Sequence, residues 1–120
     1  MSHLTLRHAD SLLRRAAGPL TAAHIFRKTR RDLAKTPLWL VRHDDDVEPY
    51  DADYLVIEKV LVVVRRYVSQ PADQFTIWVD EARAREEEFH PMQLADALLA
   101  HLQVGEADLI WSNVELADEP

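Results

Sequence analysis

The chain has 120 residues with 14 Lys+Arg against 21 Asp+Glu, a net charge of -7, and it contains no cysteine and two glycines. Without cysteine there are no disulfides, Cys-ligated zinc, iron–sulfur clusters or thiol catalysis. Two glycines far apart leave no Walker loop or GxGxxG turn, and the acidic balance argues against general affinity for phosphate backbones or anionic membranes.

Residues 5–17 read as a first helix. Leu6, Ala9, Leu13, Ala16 and Ala17 share a face, and Thr5 is a candidate N-cap. Gly18-Pro19 is a stop signal. The spacing then predicts a second helix over 21–35, with Ala22, Ile25, Phe26 and Leu33 inward. His24, Arg27, Lys28, Arg31 and Lys35 form one basic ridge on its other side, within about a 100° arc. Leu38–Arg42 reads as a buried strand that ends at His43-Asp44-Asp45-Asp46.

A third helix is expected over about 52–69, capped by Asp51 or Asp53. Its polar pairs Glu58-Lys59 and Arg65-Arg66 recur seven apart. The valine-rich composition of this stretch supports a rival: a strand over 60–68 in a hairpin with 75–80. Phe75–Val79 reads as a strand ending at Asp80-Glu81, and 82–89 as a charged helical or irregular segment. Pro91 opens another helix, with Gly105 as its expected left-handed end. Leu109–Trp111 begins a last strand, and 117–120 is expected to fray.

Strands alternating with helices predict an α/β fold: a small three-stranded, mainly parallel sheet preceded by an N-terminal helical hairpin. The alternative is α+β with the 60–68/75–80 hairpin. One domain is expected over 1–120, divided into a basic hairpin (1–36), an acidic core (37–116) and the tail. The charge is uneven: residues 1–42 hold nine basic and two acidic residues, a net of +7, and the other 78 residues carry -14.

Three functions follow as expectations. A non-catalytic protein-interaction or regulatory module, acting on a protein partner or by self-association, is the first. Nucleic-acid binding through His24, Arg27, Lys28, Arg31 and Lys35 is the second. The third is a Mg²⁺-dependent phosphoryl-transfer or hydrolytic enzyme. In a parallel sheet, Asp44, Asp46 and Asp80 would sit at adjacent strand ends, where oxygen ligands hold such an ion. The histidines make no HExxH pattern and no serine sits in a GxSxG elbow, so neither a zinc site nor a catalytic residue is assigned and no cofactor is expected. Neither a leader nor a membrane span is legible, which makes the cytoplasm the expected location and leaves no membrane partner. Large aromatics on short strands read as core, and an exposed tryptophan would mark an interface.

Overall fold

A computed structural model describes residues 4–11, 18–36, 38–45 and 47–119. Its elements are β1 (Leu6–His8), β2 (Thr21–Arg27), α1 (Arg30–Leu33), β3 (Val41–Asp44), β4 (Pro49–Ile57), β5 (Val60–Tyr67) and β6 (Gln74–Val79). They continue with α2 (Glu81–Glu86), α3 (Pro91–His101), a 3₁₀ turn at Glu106–Asp108, β7 (Leu109–Ser112) and α4 (Val114–Ala117). Among the described residues the seven strands form one sheet in the order β1-β4-β5-β6-β2-β7. Strand β3 takes the part of the β4 edge that β1 leaves open.

Every pairing is antiparallel. The expected three-stranded, mainly parallel sheet behind a helical hairpin is therefore overturned. Connection length explains it: a parallel neighbour needs a crossover of a dozen or more residues, usually helical. Glu58 and Lys59 alone join β4 to β5, and residues 68–73 join β5 to β6. The long helix α3 lies between β6 and β7, which are not neighbours.

Three expected helices change identity. Residues 6–8 are strand β1, while 12–17 lie outside the described residues. The predicted helix 21–35 is strand β2 followed by the single turn α1. The predicted helix 52–69 is the β4–β5 hairpin, in register from Tyr50↔Tyr67 to Ile57↔Val60. The rival hairpin is present as the antiparallel β5–β6 pair, running from Val62↔Val79 to Arg65↔Thr76. Strand β5 is central and buried on both faces, so Val60–Val64 carries no polar alternation. That is what allowed a helical reading.

The two faces of the sheet differ. On one, Leu55, Ile57, Val60, Val62, Val64, Phe75, Ile77 and Val79 meet Leu94, Ala95, Leu98 and Leu102 of α3 and its C-cap, with Leu33 and Leu116 at the margins. Leu94 and Leu98 are fully buried, each worth about 2 kcal/mol of apolar transfer. His90 caps α3 by accepting the Met92 N–H at Nδ1, ahead of Pro91 at the first helical position. The left-handed residue that ends α3 is Gln103 (φ 59°), not the expected Gly105, which is extended. The other face holds a smaller cluster, Ala52, Val56, Leu61 and Val63, against which Ala9, Leu20, Tyr54 and Trp78 pack.

Candidate functional site

The basic ridge does not form, because β2 is a strand whose side chains alternate between faces. His24 is buried, its Nδ1 at 2.8 Å from Ser112 Oγ and its Nε2 at 2.8 Å from Asp96 Oδ1. Arg27 lies 3.6 Å from Asp73, Lys28 3.9 Å from Asp108 and Lys35 3.7 Å from Asp32. Arg31 is exposed on α1.

The carboxylates proposed for Mg²⁺ do not converge either. Asp44 ends β3 opposite Pro49, whereas Asp80 donates its N–H to the carbonyl of Leu61, whose β4 partner is Val56. Pro49 and Val56 are seven residues apart on one strand, about 23 Å at the usual rise. An antiparallel sheet puts successive strand ends at opposite edges, which separates the two. Asp80 is instead the N-cap of α2, accepting from the Arg83 N–H at 3.2 Å. Asp46 lies outside the described residues. No group of three His, Asp or Glu side chains placed to hold a metal occurs among the described residues.

A different surface gathers chemistry. On the face away from α3, cross-strand rows run His43–Tyr50–Tyr67, then Val41–Ala52–Arg65–Thr76, then Tyr54–Val63–Trp78. All three tyrosines of the chain stand here. The small Ala52 opposite Arg65 leaves room for the guanidinium, which lies 4.8 Å over the Tyr50 ring, 5.8 Å from Tyr67 and 5.7 Å from Trp78. Such stacking is attractive because a ring face carries negative charge. The Tyr50 and Tyr54 hydroxyls are 2.9 Å apart, and His43 stacks on Tyr50 at 5.3 Å. Burial, reinforced by the Tyr54 hydroxyl, pushes the Tyr50 phenol up to about 12. Burial also raises the Tyr67 phenol, with the hydrogen bond to Asp45 second. Asp45 is held below the usual carboxylate range, first by the Glu48 and Val47 N–H groups.

A notch adjoins this surface where β1 gives way to β3 along β4. It encloses about 150 Å³ and is lined by His8, Trp39, His43, Asp53 and Tyr54 among others. The His8 and Trp39 rings are parallel to within 3° at 3.6 Å. Buried Asp53 fixes both, with Oδ1 at 3.1 Å from His8 Nδ1 and Oδ2 accepting the Trp39 backbone N–H at 2.8 Å. Trp39 remains 64% exposed, which makes it a surface platform rather than the core residue its strand suggested. Trp111 is also exposed, on the edge strand β7 at the opposite margin.

Behind β4 lies an ionic cluster. Asp51 is buried and receives Arg42 Nε at 2.6 Å, Arg30 Nη2, and Arg66 Nη1 at 3.7 Å. Three guanidiniums on one carboxylate leave an excess of positive charge. Burial, then the Arg66 and Arg42 charges, lowers the Arg30 pKa.

None of Tyr50, Tyr54, Tyr67, Arg65 or Trp78 follows from motif reading. The available signal was the period-2 run Tyr50-Asp51-Ala52-Asp53-Tyr54, which places aromatics on one strand face and aspartates on the other. No helix among the described residues is long and apolar enough to cross a membrane. Comparison with protein-family models, with curated proteins and with solved structures finds no match.

Proposed function

We propose that this chain is a non-catalytic protein-binding module of the cytoplasm whose recognition face is the aromatic cluster Tyr50, Tyr54, Tyr67, Arg65 and Trp78 with the adjoining Trp39 notch. One observation carries the reading: every tyrosine of the chain and Trp78 stand around one arginine on a single sheet surface. Tyr, Trp and Arg are the side chains that dominate binding energy at protein interfaces, because they bury much area with few rotors and keep a polar end. Arg27, Lys28 and Lys35 do not form a common ridge and each stands within 4 Å of an aspartate, which favours a protein partner over nucleic acid.

The test is capture with the tagged chain, followed by titration of each purified captured protein against wild type, Tyr50→Ala, Tyr67→Ala and the remote control Glu106→Ala. The tyrosine variants are expected to bind tenfold or more weakly and the control unchanged. A partner that binds all four proteins equally sinks the reading. So does a chain that retains no partner and sediments as a monomer.

A further inference from the structure

Resting on that reading, we infer that the recognition face takes an acidic side chain: a single Asp or Glu carboxylate of the partner, received by the Arg65 guanidinium beside Trp78. Among the described residues, Arg65 Nε and Trp78 Nε1 are buried from solvent and have no hydrogen-bond partner. Both are donors, both lie on this face, and the guanidinium sits 5.7 Å from the Trp78 ring. Buried donors are normally paired, and two left unpaired side by side beneath this face point to an acceptor that the partner supplies once the covering side chains shift.

The charge tells the same story. Arg27, Arg30, Arg42, Arg66, Arg83 and Arg85 each reach a carboxylate. Among the described residues Arg7, Arg31 and Arg65 have none at ion-pair distance; Arg7 and Arg31 are exposed, whereas Arg65 is half-buried. Its charge is the weakest of the influences that act on Asp45. Its own hydrogen bonds go to the Tyr67 and Tyr54 hydroxyls at 3.4 and 3.5 Å, long for a guanidinium. The group is held by stacking and by no short hydrogen bond or ion pair among the described residues. A lone planar fork among flat rings suits a planar carboxylate of one charge. A phosphate carries about two charges and draws several arginines together.

The experiment is selection of a phage-displayed random peptide library on the intact chain. Peptides recovered by wild type and not by Tyr50→Ala are expected to converge on Asp or Glu at one position. A synthetic peptide from that set should lose tenfold or more in affinity when the acid becomes its amide. It should lose as much against Arg65→Gln, and also against Arg65→Lys, which keeps the charge without the fork. Its addition should shift the Trp78 Nε1–H and Arg65 Nε–H resonances of ¹⁵N-labelled protein. Peptides without an acidic position, amide and acid forms within twofold of each other, or an unchanged affinity for Arg65→Lys each overturn the carboxylate. Loss of the selected peptides with Tyr50→Ala alone would leave the face standing without it. Peptides that bind Tyr50→Ala as well as wild type would remove the face itself.

Discussion

His24 Nε2 and Asp96 Oδ1 meet at 2.8 Å across 72 residues of chain, joining strand β2 to helix α3. The imidazole is buried while Asp96 is largely exposed, and its other nitrogen engages Ser112 of β7. His24 is thus a tie between three elements. His24→Ala is expected to lower unfolding free energy by about 2–3 kcal/mol, from lost packing and two lost hydrogen bonds. Asp96→Asn, which keeps an acceptor at a solvated position, should cost less than about 1 kcal/mol. Urea unfolding midpoints distinguish the two.

Asp51 neutralises part of a three-arginine cluster, so its removal leaves guanidiniums facing one another. Asp51→Ala is expected to cost about 3 kcal/mol, and Arg42→Ala, whose side chain is mostly exposed, under about 1 kcal/mol. Molar salt screens like-charge repulsion and should recover part of the Asp51→Ala loss. Melting curves at low and high salt check this; an equal deficit at both would mean that repulsion is not its cause.

Tyr50 titrates at about 12 in the fold, above the roughly 10 of a free phenol. A raised folded value means the native state holds the phenolic proton that the unfolded chain releases. Its contribution to stability is therefore complete below about pH 10 and is lost as pH rises toward about 12. Phenolate absorbance should show one tyrosine ionising late, and Tyr50→Phe should flatten the fall in stability across that window.

The β4–β5 turn holds Glu58 at φ 54° and Lys59 at φ 85°, both left-handed. Two positive φ values mark a type I′ hairpin turn, which favours Asn-Gly. Lys59→Gly should raise stability by about 1 kcal/mol by relieving the second position. Glu58 is better kept, because its carboxylate accepts the Thr5 N–H at 3.0 Å and ties β1 to the turn. Thermal unfolding of the single variant is sufficient.

Asp80 serves as a helix cap. Asp80→Ala should cost about 1 kcal/mol and Asp80→Asn only tenths. Millimolar Mg²⁺ should leave the melting temperature of all three proteins unchanged. A Mg²⁺-dependent rise seen in wild type and lost in Asp80→Asn would restore a metal at this residue.

The hairpin turn also shows why the centre of the fold has the sequence pattern of a helix. Glu58-Lys59 carries no glycine or asparagine, so nothing in its composition announces a reversal. The valine run beyond it is buried on both faces and loses the alternation that marks a strand. The pairs Glu58-Lys59 and Arg65-Arg66 then supplied an accidental seven-residue period. In truth the first pair is a turn, and the second splits between faces: Arg65 goes to the tyrosines and Arg66 to Asp51.

What the sequence by itself determined is local. Phe75–Val79 as strand, Pro91 as the first residue of a helix, Leu109–Trp111 as the start of a strand and the absence of cysteine chemistry all depend on neighbouring residues and composition. Strand order, antiparallel direction and the recognition face were decided by tertiary structure. Each depends on which edges meet, and the pattern along a single strand is the same whichever partner it takes. Arg65 joins Tyr50, Tyr54 and Trp78 because β4, β5 and β6 lie side by side in one register. That register brings residues 50–78 to one surface, and spacing along the chain does not encode it.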